Sequence, residues 1–346
     1  MRNLNSNEIS MNNKIRWGVM GSAKIALKKV IPSMSYCKYA VVEAIASRNE
    51  SLAISAAEDL GIPKAYGSYE DLLNDKDIDA IYIPLPNHLH LEWTIKCIEA
   101  GKHVLCEKPF VLNHKDVFKL IQLRDRSKLK IGEAFMVRSH PRWAAIKEII
   151  DEGVIGEMNL IRGFFSYYND DANNIRNQYL EGGGGIWDIG CYPVQISRYL
   201  FGGNPKRVSA GLVFDPKYKV DILGSVILEF ENGICSFSVG TQLARYQSVQ
   251  IFGRNKWIDV EMPFNPPIIE STDIQIVTEE DPSAPRQIIT IPPADQFTMQ
   301  ADAFSKAILN NYDEPVTLED TLGNTLTIEA IFKAAKSGKW EKVEKP

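Results

Sequence analysis

The chain has 346 residues, of which 45% are hydrophobic and 24% charged, and it has a formal net charge of -5 at pH 7. This length is too great for one ordinary core and predicts two domains. The negative charge gives no general attraction to nucleic acid or to an anionic membrane, so we expect a small-molecule partner. Residues 1–13 are polar and no apolar run is long enough to span a bilayer, which predicts a disordered tail on a cytoplasmic, non-membrane protein.

Short apolar runs alternate with helical patterns between about residues 15 and 135, as in repeated βαβ units with a parallel sheet. Gly61 and Gly101 stand where helix C-caps are expected. The predicted strands are 15–20, 40–47, 80–85, 103–107 and 130–134, and the helices between them include 51–60 and 89–99. Residues 14–137 are therefore predicted to form a doubly wound parallel (Rossmann) domain of the α/β class that binds a dinucleotide.

The first strand-to-helix turn has a glycine motif where the pyrophosphate of a dinucleotide would meet the amides of a helix N-terminus. Against the pattern Gly-x-Gly-x-x-Gly/Ala, the chain has Gly21, Ala23 and Ala26, so phosphate can approach less closely at the middle position. The alternative is a plain tight turn in a domain that binds no nucleotide. The candidate cofactor-binding residues of this turn are Gly21, Ser22, Ala23, Lys24 and Ile25.

The second predicted strand ends in Ser47-Arg48-Asn49, at the position where NAD enzymes usually hold the ribose hydroxyls with an acidic side chain. A hydroxyl with a guanidinium can bind a 2′-phosphate, which a carboxylate would repel. Ser47 and Arg48 therefore favour NADP(H) over NAD(H). The alternative is that Arg48 is an ordinary solvated charge on a loop.

Two further predicted strands end in polar motifs at the same edge of the sheet, where open α/β sheets bind their ligands. Glu107-Lys108-Pro109 places an ammonium group where it can reach a hydroxyl or carbonyl on a bound cofactor, unless Lys108 is simply a surface lysine. His88 and His90 follow the other strand without a spaced carboxylate or cysteine partner, so we expect no metal site. The five cysteines are scattered, which predicts reduced thiols.

After Pro141 the pattern changes to a helix and a series of alternating strands, which predicts a second, α+β domain over residues 138–346. The turn Glu231-Asn232-Gly233 between two apolar runs is typical of a hairpin. The stretches 262–267 and 282–293 are rich in proline and are predicted as loops. A helix 143–151 is followed by strands 159–168, 206–214, 222–230, 234–240 and 248–252 and by closing helices 295–310 and 318–337. One closing helix is a candidate to pack back on the first domain.

Five motifs occur in order: the Gly21 turn, Ser47-Arg48, residues 84–87 (PLPN), Glu107-Lys108-Pro109 and residues 182–192 (GGGGIWDIGCY). With these motifs the chain resembles the glucose-fructose oxidoreductase/inositol dehydrogenase/MocA (Gfo/Idh/MocA) family over about residues 15–339. The resemblance implies hydride transfer between a nicotinamide and a carbon that bears a hydroxyl or carbonyl, usually on a sugar, cyclitol or related diol. It also implies a large, mostly antiparallel sheet in the second domain, through which we expect a homodimer or homotetramer.

The family's active-site residues fall on Lys108, Asp188 and Tyr192, and the family tends to hold the bond between Lys108 and Pro109 cis. Tyr192 ends an Asp-x-Gly-x-His/Tyr motif, as in the tyrosine branch that resembles NADP-linked xylose dehydrogenase, dimeric dihydrodiol dehydrogenase and sugar 3-ketoreductases. The resemblance implies further cofactor contacts from Pro84, Leu85, Asn87, His90, Glu107 and Lys108. It implies substrate contacts from His88, Arg138, Arg176 and Asp188.

A hydroxyl that loses hydride must also lose a proton, and Tyr192 is the candidate acid–base group. An ammonium at Lys108 and the positive nicotinamide would together lower the pKa of this phenol, and Lys108 would hydrogen-bond the substrate oxygen. Asp188 stands four residues before Tyr192 and would orient a hydroxyl or the lysine. The alternative for Asp188 is a helix N-cap, and the alternative for Tyr192 is a packed aromatic.

These residues predict an NADP(H)-dependent oxidoreductase that acts on a sugar or related polyol, for example at C1 of an aldose. Three alternatives stay open: a 3-ketoreductase of nucleotide-linked deoxysugars, a trans-dihydrodiol dehydrogenase, and an NADP-binding sensor without catalysis. The presence of both Lys108 and Tyr192 argues against the sensor.

Overall fold

The N-terminal half of the chain forms one parallel sheet. The structure, a computed structural model, describes residues 14–278 and 285–345, so the predicted tail lies outside the described residues. The strands are β1 (Ile15–Met20), β2 (Ala40–Ala46), β3 (Lys64–Tyr66), β4 (Ala80–Ile83), β5 (His103–Glu107) and β6 (Ile131–Ala134). Their order is β3-β2-β1-β4-β5-β6, and every neighbouring pair is parallel. This order confirms the doubly wound fold, whose ligand crevice lies where the order reverses between β1 and β4.

Capping residues set the ends of several helices between these strands. The helices are a π-helical turn (Ala26–Val30) that leads into α1 (Ile31–Met34), then α2 (Glu50–Leu60), α3 (Tyr69–Asn74), α4 (His90–Glu99) and α5 (His114–Ser127). The side chains of Asn49, Ser68 and Asn113 accept backbone amides at the starts of α2, α3 and α5. Gly61 closes α2 with φ 67°, and Gly101 follows α4 with φ 74°, as the sequence predicted.

The second domain is built on a larger sheet that is mostly antiparallel, as predicted. Its strands are β7 (Met158–Tyr168), β8 (Arg207–Phe214), β9 (Asp221–Glu229), β10 (Ile234–Gly240), β11 (Gln242–Gly253), β12 (Lys256–Glu261), β13 (Thr272–Thr278), β14 (Gln287–Ile291) and β15 (Glu341–Lys342). Within the described residues their order is β14-β13-β12-β11-β7-β10-β9-β8-β15. Among the strands of this sheet that the structure describes, only β7 and β10 pair in parallel. The predicted hairpin joins β9 to β10, where the Phe230 amide donates to the Gly233 carbonyl at 2.8 Å.

One face of this larger sheet packs on helices and the other is open. The helices of the second domain are α6 (Pro141–Asp151), α7 (Cys191–Phe201), which continues a π-helical turn (Ile186–Gly190), α8 (Gln296–Asn310) and α9 (Leu318–Ser337). Along β9, Val226 and Leu228 are buried whereas Ile227 between them is 40% exposed. Because α7 and α9 lie against β7 and β8, the buried residues face these helices.

Several strands differ from the sequence-based expectation. Strand β3 has three half-buried residues, too few for a periodic signal, and it was not predicted. Strands β12 and β13 were also missed. Strand β14 lies within 282–293, which proline content had assigned to a loop, because the prolines flank Gln287–Ile291 rather than interrupt it. The loop predicted over 262–267 is confirmed between β12 and β13.

All five cysteines are free and buried, as expected for reduced thiols. Burial raises the pKa of each thiol, which keeps them protonated and poorly nucleophilic. Over residues 14–278 and 285–345, no helix combines the length and the apolar character that a membrane span requires.

A helix near the end of the chain packs on the first sheet. Trp17 of β1 is fully buried and donates its indole N–H to Ser305 Oγ of α8 at 3.0 Å. The Trp17 ring also lies 5.7 Å from the ring of Phe304, the preceding residue of α8. Helix α8, which follows the larger sheet in the chain, is therefore held on the first sheet by apolar packing and a hydrogen bond.

Phe304→Ala removes a side chain that is 1% exposed from this contact between α8 and β1. We expect the free energy of unfolding to fall by roughly 3–5 kcal/mol, as for other buried phenylalanines, measured by urea denaturation. Phe118→Ala is the matched control, because Phe118 is 40% exposed on α5 and its loss should cost much less. Equal losses in the two variants would show that the packing of α8 does not stabilise the protein.

Candidate active site

Lys108 of the first domain reaches Asp188 of the second. Lys108 follows β5, and its peptide bond to Pro109 is cis, as the family resemblance implied. The ammonium group donates to the Asp188 carbonyl oxygen at 2.5 Å and to the carboxylate Oδ1 at 3.2 Å. The two side chains are largely buried, with 10% and 13% of their area exposed. Burial disfavours the ammonium, but Asp188 and Tyr192 outweigh this effect and raise the pKa of Lys108, so the group stays charged.

The carboxylate of Asp188 is shared by three donors. Oδ1 accepts from Lys108, while Oδ2 accepts from the Tyr167 hydroxyl at 2.6 Å and from Arg176 Nε at 3.0 Å. Burial alone would raise the pKa of Asp188, but Arg176 and Lys108 hold it well below its usual range. Asp188 therefore remains an anion. It is not a helix N-cap, because it lies inside the π-helical turn Ile186–Gly190.

Sequence reasoning did not single out Tyr167, although it predicted the strand that contains it. Neighbouring residues of a strand point to opposite faces, and Tyr168 is 66% exposed whereas the Tyr167 hydroxyl bonds Asp188. Alternation alone could have placed one of the two tyrosines on the side of the site. Burial, followed by Asp188, raises the pKa of Tyr167, so this phenol stays protonated as a donor.

Tyr192 lies beside Lys108 in an aromatic pocket. Its ring centroid is 4.9 Å from Lys108 Nζ, and its hydroxyl lies 3.6 Å from Met136 Sδ. Three phenylalanine rings surround it with centroids 5.3–5.7 Å away: Phe135, Phe165 and Phe264. Burial raises the pKa of Tyr192 more than Lys108 lowers it. The predicted lowering of this pKa is therefore absent in the protein alone, because the pocket removes the phenol from water.

The glycine turn after β1 is shaped for close approach to the backbone. Gly21 has φ 109°, and a Cβ atom there would lie 3.0 Å from Leu85 Cδ2. Ala23 accepts the Leu27 amide at 3.1 Å, so a helix begins here with its first amides unpaired within the helix. Ser22, Ala23 and Ile25 are half-buried and Lys24 is exposed. This arrangement of amides is the one that binds phosphate at helix N-termini.

Ser47 and Arg48 lie at the end of β2, next to this turn. Ser47 is buried and its hydroxyl accepts the Asn49 amide at 3.2 Å, whereas Arg48 is exposed. Burial raises the pKa of Tyr69, and the nearby Arg48 opposes this shift. The Tyr69 hydroxyl lies 3.6 Å from the position of a Cβ on Gly21. Tyr69, which the sequence did not single out because it follows the short β3, therefore joins the arginine to the glycine turn.

His90 joins the two motif loops at the ends of β4 and β5. It is fully buried, and its ring nitrogens lie 2.9 Å from the Pro109 carbonyl and 2.7 Å from the Leu85 carbonyl. Pro84 and Leu85 are buried behind it. Because both nitrogens face the backbone, His90 supports the loops rather than offering a nitrogen to a ligand. Glu107 is similarly engaged and accepts the Tyr82 hydroxyl at 2.7 Å.

Asn87 and His88 contact the glycine segment of the second domain. Asn87 Nδ2 donates to the Gly182 carbonyl at 3.2 Å, and His88 Nδ1 contacts the Glu181 carboxylate. A Cβ on Gly182 would lie only 2.5 Å from Leu112 Cδ1, so the segment packs closely on the first domain. These contacts close the crevice from the side of the second domain.

Arg138 lies in a different cluster from Lys108. Its guanidinium pairs with Asp320 of α9 at 3.4 Å and stacks on Tyr199 with its Cζ 3.9 Å from the ring centroid. Arg198 also pairs with Asp320, at 2.9 Å. Within the protein the Arg138 guanidinium thus contacts α7 and α9, and its substrate contact stays a prediction.

A dinucleotide-binding sheet and an open-faced α+β domain thus meet at Lys108, Asp188 and Tyr192, which defines a two-domain nicotinamide-dependent oxidoreductase. Residues 15–135 match the family model described as an oxidoreductase family with an NAD-binding Rossmann fold. Residues 143–259 match the model of the GFO/IDH/MocA C-terminal domain. The chain belongs to the Gfo/Idh/MocA oxidoreductase family.

Three relatives place the chain within this family. It is 42% identical to an uncharacterised oxidoreductase of Rhizobium meliloti, over 95% of this chain and 99% of that one. It is 33% identical to D-xylose 1-dehydrogenase (NADP(+)) 2 of Haloferax volcanii, over 93% and 98% of the two chains. It superimposes with a TM-score of 0.87 and 29% identity on a 3-ketoreductase from Actinomadura kijaniata in complex with NADP and TDP-benzene, over 93% and 98%. That ketoreductase has also been solved with one tyrosine replaced by phenylalanine and with one lysine replaced by alanine.

Proposed function

We propose that this protein transfers a hydride between NADP(H) and a carbon that bears a hydroxyl or carbonyl on a sugar or related polyol, with oxidation at C1 of an aldose as the leading case. One observation above all supports this proposal: Lys108, directly after β5 of the first domain, and Tyr192, at the start of α7 in the second, lie side by side. A sensor that only bound the cofactor would not need this pair. The likeness to the xylose dehydrogenase of Haloferax volcanii favours an aldose.

The residues divide the proton chemistry between them. The nicotinamide, when bound, accepts or supplies the hydride. As a phenolate, which Lys108 and the positive charge of an oxidised nicotinamide would favour, Tyr192 takes the hydroxyl proton when the substrate is oxidised; as a phenol it returns the proton to the carbonyl oxygen when the substrate is reduced. Lys108 hydrogen-bonds the same oxygen and stabilises the negative charge on either the phenolate or the substrate oxygen. Asp188 keeps Lys108 charged and in place, and it is not itself a base because three donors occupy its carboxylate.

The crevice fits a dinucleotide that carries a 2′-phosphate. Gly21 leaves no side chain between the backbone and the pyrophosphate, and the helix that begins after Ala23 turns its free amides toward it. Ser47 and Arg48 would hold the 2′-phosphate, and no carboxylate stands at the end of β2 to repel it. NADP(H) is therefore the preferred cofactor over NAD(H).

A second candidate is a 3-ketoreductase of nucleotide-linked deoxysugars. The favouring observation is the 0.87 TM-score to the ketoreductase of Actinomadura kijaniata bound to NADP and TDP-benzene. The tyrosine and the lysine replaced in that protein are as far apart along its chain as Tyr192 and Lys108 are along this one. This correspondence supports the roles of both residues and applies equally to the aldose reaction.

Tyr192→Phe should lower kcat at least ~100-fold, because it removes the acid–base group, while the affinity for NADPH stays unchanged. Initial rates of NADPH formation across aldoses, inositols and a dihydrodiol, with fluorescence titration of NADPH, measure both effects. Tyr199→Phe is the matched control, since it makes the same change elsewhere on α7. Full turnover by Tyr192→Phe would rule out the proposed role. Tight NADPH binding by the wild type without turnover of any free substrate would favour the nucleotide-linked ketosugar.

Arg48→Ala should raise the KM for NADP by roughly 10-fold or more, because a charge-assisted hydrogen bond to phosphate is lost. The KM for NAD should change little, since NAD has no 2′-phosphate. Arg126→Ala removes an exposed arginine of α5 and is the control. The two cofactors are compared with the same substrate in all three proteins. An equal loss of affinity for both cofactors in Arg48→Ala would contradict the phosphate contact.

We also propose that a second copy of the chain covers the open face of the larger sheet. This face has a shallow cavity of about 410 Å³ lined largely by small side chains, including Ser209, Ser225, Ser236, Ser238 and Ser248. Ile227→Lys places a charge on this face and should convert a dimer or tetramer to smaller species in light scattering. Ile54→Lys on α2, where Ile54 is 45% exposed, is the control. An unchanged mass for Ile227→Lys, or a monomeric wild type, would contradict the proposal.

A further inference from the structure

A buried aspartate lies beneath the start of the helical segment that contains Asp188 and Tyr192. Asp221, the first residue of β9, is 2% exposed. Its Oδ2 accepts the backbone amide of Ile186 at 2.7 Å. Ile186 is the first residue of the π-helical turn that continues into α7. The capping residue of this turn is Gly185, which has no side chain to accept an amide. The carboxylate therefore comes from a strand 35 residues away in the sequence.

The glycine segment lets this carboxylate lie directly against the backbone. Gly184 has φ 119°, and a Cβ on it would lie 2.1 Å from Asp221 Oδ1. A Cβ on Gly185 would lie 3.3 Å from Oδ2. A side chain at Gly184 would displace the aspartate, so the shape of the segment and the position of the carboxylate depend on each other.

The charge environment of Asp221 indicates that backbone amides are its partners. Burial raises the pKa of Asp221 to about 7, and the amides of Ile186, of Asp221 itself and of Gly185 oppose this shift. Asp188 adds to the rise as a neighbouring anion. A carboxylate that accepts amides at the start of a helix fixes the position of the first helical turn. Its hydrogen bonds satisfy amides of that turn, and its charge complements the positive end of the helix dipole.

We infer that Asp221 is a positioning residue, which holds the Ile186 amide so that Asp188 stays on Lys108 and Tyr192 stays beside it. The inference rests on the proposed function, because it assigns a task to Asp221 within that reaction. Asp188 follows Ile186 by two residues and Tyr192 follows it by six, so both move with the first turn of the segment. Because Asp221 is buried and bonds the Ile186 amide, it would act through this backbone rather than by contact with a ligand.

Asp221→Asn tests the inference, because asparagine keeps the shape but turns an NH₂ group toward a backbone amide. We expect kcat to fall ~10- to 100-fold through misplacement of the reacting groups, with the affinity for NADPH unchanged. Asp215→Asn is the matched control: Asp215 also accepts two backbone amides, those of Lys217 and Tyr218, but in the turn after β8. Asp215→Asn should keep both kcat and affinity.

A second readout does not depend on the substrate. The rate at which trace acetic anhydride modifies Lys108, followed by mass spectrometry against pH, reports the pKa of its ammonium. In Asp221→Asn this midpoint should fall, because the Asp188 carboxylate moves away from Lys108, and in Asp215→Asn it should match the wild type. An unchanged Lys108 midpoint in Asp221→Asn would overturn the inference whatever happens to kcat.

The two proposals fail in different ways. If the wild type turns over no substrate but the Lys108 midpoint falls in Asp221→Asn, the positioning role stands and the proposed function fails. If Asp221→Asn does not fold, as shown by circular dichroism, Asp221→Ser replaces it, since serine removes the charge but keeps an acceptor. Loss of kcat and NADPH binding together in a folded variant, with Lys108 unchanged, would show a purely structural role and overturn the inference.

Discussion

The ion pair between Lys108 and Asp188 is the interaction on which the candidate site depends. It joins the end of β5 in the first domain to the helical segment before α7 in the second. Both groups are largely buried, so removal of either partner would leave an uncompensated charge, which typically costs several kcal/mol. The pair therefore keeps the two domains in register at the point where a cofactor from one domain would meet a substrate held by the other.

The consequences of this pair reach the other residues of the site. The Asp188 carboxylate accepts hydrogen bonds from Lys108, Tyr167 and Arg176. Because the two cations hold its pKa well below its usual range, it does not take up a proton at neutral pH. In the proposed reaction proton transfer falls to Tyr192, whose own pKa is raised by burial and, to a smaller extent, lowered by Lys108. A phenol that stays protonated in the free enzyme is suited to donate to a carbonyl oxygen, and it becomes a base only when further positive charge lies near it.

Features of the fold and the site were predictable where they depend on residues close together in the sequence, and were not predictable where they depend on contacts between distant residues. Strands β1, β5 and β10 have the predicted bounds, because their apolar runs end at local turn residues. Lys108 and Asp188 were found as motif residues, but their contact spans 80 positions and no local pattern contains it. The same limit applies to Arg138: the family resemblance suggested a substrate contact, whereas the partners Asp320 and Tyr199 belong to helices far along the chain.

The buried part of the site and its solvent-exposed rim differ in how many of their polar groups form hydrogen bonds within the protein. Inside, three protein donors share the Asp188 carboxylate, and both ring nitrogens of His90 face backbone carbonyls. At the rim, Arg176 keeps 45% of its side chain exposed beyond its bond to Asp188, and Tyr179 and Leu180 are 66% and 86% exposed. In the proposed reaction the inner residues recognise only the reacting oxygen, so the same inner set would serve different substrates. Substrate specificity would therefore depend on the rim, where Arg176, Tyr179 and Leu180 of the segment before the glycines expose side chains that can contact a substrate.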